Sequence, residues 1–307
     1  MQLYYVLKSL LYMMKKLERS CMTSKKTVQN SKRIFITGIT GQLGSTLNKY
    51  LSRYFNVLNN QENFYNIDVS DRSELKYFFK ELSPDYVINC AALTNVDFCE
   101  QNKSKSHEVN VDGIKNIISC SKKSTKIIHI STDYVFNGNK KIYLESDTPD
   151  PLSYYGKGKL ESENILRTSN RDFLILRTSV IFGKTGNNFY VWVRDSLRNN
   201  QKISVVTDQI SNPTWSWSLS EAIYKSILSN ISGLFHYAGE EVISRYDFAI
   251  KVAKVHDFNP DRIIPIKTLD LDQKAKRPLH SALDASKIKK LIDIEHPSLD
   301  YILKIIS

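Results

Sequence analysis

Tyr155 and Lys159 stand four residues apart, a spacing that puts two side chains on one helix face with Cβ atoms about 5–6 Å apart. An ammonium beside a phenol stabilises the phenolate. The pair therefore predicts a tyrosine pKa below its usual value of about 10 and a phenol ready to act as a general acid. The motif proves little alone, since about two such pairs are expected by chance in a chain of this composition. Three occur, at Tyr4/Lys8, Tyr12/Lys16 and Tyr155/Lys159, and only the last follows a run, Lys126–Ser131, that reads as a strand. Tyr154 meets Gly158 at the same spacing, which leaves Tyr155 as the candidate. Thr132 closes that strand, where a hydroxyl can hold a carbonyl and steady a developing alkoxide. Such hydroxyls are more often local backbone partners, so Thr132 gains meaning only with the other two.

A second cluster precedes these. Thr37-Gly38-Ile39-Thr40-Gly41-Gln42-Leu43-Gly44 runs from a strand into a helix. Gly38 permits a tight turn, Gly41 lets the backbone approach a pyrophosphate, and Gly44 lets helix pack on strand. The anion would lie at the helix N-terminus, against Gly38, Gly41, Gln42, Leu43 and Gly44, where unpaired N–H groups point. The second strand, near Phe55–Leu58, is followed by Asn59 and Asn60 rather than the acid that would bind a ribose 2′-hydroxyl. That leaves room for a 2′-phosphate and tilts the expectation toward NADPH, with NADH open. Asn89-Cys90-Ala91-Ala92 ends a further strand with small residues that let a cofactor lie close.

The elements that must position these groups follow from the pattern. Arg33–Thr37, Asp85–Cys90, Lys126–Ser131 and Phe173–Thr178 are near-continuous apolar runs, as strands buried on both faces require. Helical periods fill the gaps at Gln42–Tyr54, Asp71–Leu82, Lys103–Lys122 and Tyr155–Thr168, with Ser70 or Asp71 as a cap. Alternating strands and helices predict an α/β, Rossmann-type, doubly wound parallel sheet. Residues 33–182 read as the NAD(P)-binding domain, with 219–237 returning to it. Residues 183–307, mostly 183–218 and 238–307, read as a smaller substrate-binding cap. Within it Asp208–Trp217 looks irregular, and Ser244–Val255 looks helical with Tyr246, Ala249, Ile250 and Ala253 on one face.

The 307 residues carry a net charge of +11. Eight basic residues and one acid fall in residues 1–33, so seven of those charges sit there and the body is mildly basic. Residues 1–32 read as a basic extension outside the fold. Its apolar stretch, Leu3–Met14, is interrupted by Lys8 and is shorter than the about 20 residues a bilayer span needs, so no stable membrane insertion is expected. Aromatic and basic residues do not interleave in the body, which argues against nucleic acid. Four cysteines with no C-x-x-C pair, and six scattered histidines, predict a reducing, cytoplasmic setting and no metal centre.

With these residues in place the chain resembles the extended short-chain dehydrogenase/reductases, most closely the dTDP-4-dehydrorhamnose reductases, from about Arg33 to the C-terminus. The resemblance rests on the motifs above and on Asn89–Asp97, Ser131-Thr132-Asp133-Tyr134-Val135-Phe136, Arg177-Thr178-Ser179, Asp208–Thr214 and Lys276-Arg277-Pro278. It implies reduction by NADPH or NADH of the 4-keto group of a nucleotide-linked 6-deoxyhexose, for activated deoxysugar and surface polysaccharide synthesis. Tyr155 would give the proton, Lys159 would hold the ribose and tune Tyr155, and Thr132 would orient the carbonyl. Ala91, Ala92 and Thr94 would line the cofactor, with Asp68 and Val69 by the adenine. Val96, Tyr134, Val180 and Arg277 would face the sugar, and a homodimer follows only by family analogy. Two positions depart from the pattern. Val180 stands where a Trp is usual, and Thr46 stands where some relatives carry a magnesium-binding Glu. Rival readings on the same fold are a 4-epimerase and a 4,6-dehydratase, though Tyr134 replaces the Glu that a dehydratase pattern places after the Asp. A regulatory subunit resembling the methionine adenosyltransferase β subunit is the alternative of another class.

Overall fold

A computed structural model describes residues 32–59 and 66–307, so the basic extension, bar Lys32, and Asn60 lie outside the described residues. In chain order the first half gives β1 (Arg33–Thr37), α1 (Gln42–Leu51), β2 (Asn56–Val57), α2 (Arg72–Leu82), β3 (Tyr86–Asn89), α3 (Val96–Gln101), α4 (Lys103–His107), α5 (Gly113–Cys120), β4 (Lys126–Thr132), β5 (Ile142–Tyr143), α6 (Tyr154–Arg167) and β6 (Phe173–Thr178). The second half gives β7 (Ile181–Phe182), α7 (Phe189–Arg198), β8 (Ile203–Val206), β9 (Ile210–Ser211), β10 (Thr214–Trp215), α8 (Ser216–Leu228), β11 (Gly233–His236), β12 (Ile243–Ser244), α9 (Arg245–Val255), β13 (Ile263–Ile266), β14 (Ala282–Leu283), α10 (Ser286–Ile292) and α11 (Leu299–Ile306).

Six strands form one parallel sheet in the order β11-β6-β4-β3-β1-β2. The chain leaves β1 toward β2 and then crosses to β3 on the other side, so the switch point of a doubly wound sheet lies beside β1. Both sheet faces are covered. On one, Leu43, Leu47 and Leu51 of α1 pack with Leu219 and Ile223 of α8. On the other, Leu75 and Phe79 of α2 pack with Ile114 and Ile117 of α5 and Leu166 of α6. Full burial of such side chains stabilises by about 1.5–3 kcal/mol each. The start of α2 is fixed by Asp71, whose carboxylate accepts from the Ser73 and Glu74 N–H groups at 2.9 Å.

A separate core joins Tyr190, Val193 and Leu197 of α7, Phe248 and Val252 of α9 and Ile302 and Leu303 of α11. Three details differ from the sequence expectations. The predicted helix 103–122 is α4 and α5 joined by one wider π turn, Glu108–Asp112. Asp208–Trp217 contains β9, β10 and the first residues of α8, because strands of two residues leave no period to read. Ile288 and Ile292 of α10, with Ile294, join the sheet-side core rather than the cap. On α9 the buried face is Phe248, Ala249, Val252 and Ala253, with Tyr246 and Ile250 at its half-buried edge. No helix among the described residues is long and apolar enough to cross a membrane.

Candidate active site

A cleft of about 930 Å³ opens at the carboxyl ends of the sheet strands, walled on the far side by Phe189 and Trp192 of α7, Val205 of β8 and Arg245 of α9. A second hollow, about 750 Å³, follows the outer face of α1 and touches none of Thr132, Tyr155 or Lys159.

The glycine turn forms one end of the large cleft. Gly38 has φ +63°, and a Cβ there would strike the Ala91 backbone at 2.8–2.9 Å. A Cβ on Gly44 would overlap the Gly38 carbonyl, so this crossing of β1 and α1 admits only glycine. Gly41 caps α1 with no side-chain partner among the described residues and no acid in the first turn. The first N–H groups of α1 are thus open to an anion, and the turn fits a dinucleotide pyrophosphate. Gln42 is half accounted for, because its Oε1 accepts from Asn188 Nδ2 at 2.9 Å and ties the helix start to the loop after β7. Leu43, Ala92, Thr94 and Val96 line the cleft as expected positions. Ala91 lies beneath Gly38, and its N–H donates to Thr37 Oγ1 at 3.3 Å. Asp68 and Val69 do not reach the cleft wall. Asp68 accepts from Ser70, which holds its carboxyl below the usual range, and Val69 turns its side chain into the core against Gly113. Asn59 also turns inward, bonding the N–H and C=O of Ile36 at 3.1 and 2.7 Å.

The other end holds Thr132, Tyr155 and Lys159, which are 7%, 9% and 2% exposed. Helix α6 is capped by Ser153, whose hydroxyl accepts from the Gly156 N–H at 3.2 Å. Gly156 sits so close to the Tyr134 carbonyl that a Cβ would fall inside it, and this approach presses the helix start onto the turn after β4. The Thr132 hydroxyl is in hydrogen-bonding reach of the Tyr155 phenol. It also accepts from the Tyr134 N–H at 3.2 Å and donates to Asp133 at 3.1 Å. The Tyr134 ring stands edge-on to that of Tyr155, centroids 6.1 Å apart.

The expected lowering of the Tyr155 pKa is not what the structure shows. Burial pushes the phenol up and outweighs the opposing influence of the neighbouring Thr132 hydroxyl. Lys159 directs Nζ to the Ile130 carbonyl, at 2.7 Å, and lies 3.2 Å from His129 Nε2. Burial brings the amine down to about 8 against the opposing pull of Glu163. Tyr155 is therefore held as a neutral phenol, the form that donates a proton.

Sequence reasoning missed several residues. Asp133, 2% exposed, accepts from Thr132, from Ser179 at 2.8 Å and from Ser281 at 2.5 Å, joining three chain segments. Burial raises its pKa. Glu163 and Arg177 form a buried two-bond pair at 2.9 and 2.7 Å that clamps α6 to β6. The signal was present as an Arg inside the apolar run of β6. Asn110, in the π turn, grips both backbone polar groups of Leu93 at 2.9 and 3.0 Å and so fixes the loop carrying Ala92 and Thr94. Arg277 lines the cleft, but its guanidinium is paired with Asp97 at 3.0 and 2.8 Å. Arg245, which the sequence did not single out, lines the same wall without a carboxylate partner among the described residues, its guanidinium 5.0 Å from the Phe189 ring centroid. Val180 lines the cleft as well. Thr46 donates to Gln42 O at 3.0 Å, and its oxygen lies 3.1 Å from Ser216 Oγ, whose hydroxyl can donate to it.

Known proteins resemble the chain over nearly all of its described length. A family model described as the RmlD substrate binding domain matches residues 32–306. A dTDP-4-dehydrorhamnose reductase of Aggregatibacter actinomycetemcomitans is 36% identical over 279 residues, 86% of this chain and 94% of that protein. Among solved structures, the dTDP-4-dehydrorhamnose reductase of Bacillus anthracis in complex with NADP has a TM-score of 0.83 at 29% identity, covering 90% of this chain and 98% of its own. A dTDP-4-dehydrorhamnose reductase from Clostridium acetobutylicum has a TM-score of 0.81 at 32% identity, covering 89% and 98%.

Proposed function

The chain belongs to the RmlD family of extended short-chain dehydrogenase/reductases, and we propose that it reduces the 4-keto group of a nucleotide-linked 6-deoxyhexose with NADPH or NADH, in deoxysugar biosynthesis. The observation that carries this is the meeting of the Thr132 hydroxyl and the neutral Tyr155 phenol in a cleft whose other end is the uncapped glycine turn of α1. When bound, the reduced nicotinamide supplies the hydride that adds to the carbonyl carbon. Gly38, Gly41 and Gly44, with the N–H groups of Gln42 and Leu43, would hold its pyrophosphate, and Ala92 and Thr94 would flank it.

The residues of this chain do the rest. Thr132 orients the ketone oxygen, and Tyr155 passes its phenolic proton to that oxygen as the C–O bond becomes an alkoxide and then an alcohol. Lys159, one turn along α6, supplies positive charge that stabilises the phenolate left behind. Val96, Tyr134 and Val180 shape the sugar site, and Arg245 adds a cation for the anionic nucleotide diphosphate. A dehydratase would need a second carboxylate beside Asp133; Tyr134 stands there, and Asp133 is occupied by three hydroxyls. The described cysteines, Cys90, Cys99 and Cys120, are free thiols, which supports the reading of a cytoplasmic enzyme.

The test is oxidation of NADPH and of NADH in the presence of dTDP-, UDP- and GDP-4-keto-6-deoxyhexoses. Oxidation with a dTDP-linked ketone is expected, with NADPH preferred. No oxidation with any of the three overturns the assignment.

A further inference from the structure

A row of buried polar side chains crosses the sheet beneath the cleft. Thr37, Asn89 and His129 are aligned neighbours in the register of β1, β3 and β4, and Lys159 and Ser162 of α6 close the row. All five are at most 4% exposed. We propose that this ladder fixes His129 as the tautomer with its proton on Nε2, given to Ser162 Oγ beside the Lys159 amine, and so makes His129 a positioning residue that governs the proton on the lysine amine. The proposal rests on the reading of Lys159 as the partner of Tyr155.

With Nδ2 of Asn89 turned toward His129, the hydrogen bonds run in one direction along the row. The Ala91 N–H donates to Thr37 Oγ1, so the Thr37 proton goes to Asn89 Oδ1, at 2.6 Å. The other end of the amide, Nδ2, donates to His129 Nδ1 at 3.1 Å. A neutral imidazole whose Nδ1 accepts carries its proton on Nε2. Ser162 gives its own proton to the Lys159 carbonyl at 2.7 Å, which leaves its oxygen to accept from Nε2 at 3.0 Å. Lys159 Nζ lies 3.2 Å from the same nitrogen. A protonated Nε2 offers the ammonium no acceptor, which favours the neutral amine.

Around the amine, Glu163 pulls the other way, toward the ammonium. Glu163, on α6 itself, is paired with Arg177 of β6. The Cys90 thiol at the end of β3 is pushed up to about 12 by burial and is neutral. Tyr155, also on α6, is a neutral phenol facing Asp133 at the end of β4. His129 itself is held neutral, because burial and then Lys159 push its pKa well below the usual value.

Long-range proton–nitrogen NMR of the cofactor-free protein, labelled with ¹⁵N-histidine, reads the tautomer directly. The His129 signals are assigned by their loss in His129→Gln. The expected result is a protonated Nε2 and a bare Nδ1 across about pH 6 to 9. A proton on Nδ1, or a doubly protonated ring, overturns the proposal. Asn89→Asp then reverses the ladder, since a carboxylate can only accept: the proton moves to Nδ1 and Nε2 becomes an acceptor for the ammonium. The alkaline limb of the kcat profile should move up by about one pH unit, with KM for the sugar little changed. A reversed tautomer with an unmoved limb contradicts control over Lys159. Should Asn89→Asp not fold, Thr37→Val frees the Asn89 amide to rotate, and a mixture of tautomers is expected; a pure Nε2–H form would contradict the ladder. The NMR reading needs no turnover, so a failure of the reductase assignment would leave it standing.

Discussion

Val180 holds φ at +42°, where a β-branched side chain crowds its own backbone at a cost of about 1–2 kcal/mol. The conformation persists because the Ser179 and Val180 carbonyls both accept from the Thr214 N–H, at 3.1 and 3.2 Å, and because the half-buried side chain packs on the cap core. Strain of this kind is commonly stored at sites of function, and Val180 faces the cleft. Replacing it with glycine removes apolar contact and strain together. Urea unfolding of Val180→Gly should therefore lie within about 1 kcal/mol of the parent, whereas a loss above about 2 kcal/mol would show that the backbone is not strained there. At this scale the catalytic candidates were legible because their chemistry needs fixed spacings: Tyr155 to Lys159, and Gly38 to Gly41 to Gly44. The deeper polar residues were not. His129, Glu163 and Arg177 are single polar letters inside apolar runs or on a helix, and only sheet register and helix docking reveal their partners.

Helix α6 is positioned by a glycine that the motif does not feature. A Cβ on Gly156 would enter the Tyr134 carbonyl and stand 3.0 Å from Pro151 Cβ, whereas one on Gly158 would meet Val111 at an ordinary 3.6 Å. Gly156→Ala must push the helix start away from the turn that carries Thr132. A loss of at least about tenfold in kcat/KM with the fold retained is expected, since small misplacements at a reacting centre are expensive. Gly158→Ala, on the same helix, should keep its activity and gain up to about 1 kcal/mol from helix propensity. Equal effects of the two on activity would contradict this account of how α6 is seated. The long elements were readable, and β1 and β6 match their apolar runs residue for residue. Elements of the cap were less so. Strands β7, β9, β10 and β12 have two residues each, too few for a period, and are set by the contacts they make.

At the scale of the whole molecule, the parallel sheet brings residues far apart in sequence to one edge. The glycine turn after β1, the small residues after β3, Thr132 at the end of β4 and Val180 after β6 share a cleft because four strands end on the same side. That convergence followed from the alternation of strand and helix. The facing wall did not, because Arg245, Trp192 and Val205 belong to elements with no motif, and α10 returns to the sheet side of the molecule. The central claim is that Tyr155 gives a proton to a ketone held between that wall and the glycine turn. Tyr155→Phe, measured for NADPH binding and for reduction of the dTDP-4-keto-6-deoxyhexose side by side, tests it most directly. Binding within about twofold of the parent and reduction lowered by about 10²–10⁴ are expected; turnover at the parent rate would contradict a proton given by Tyr155.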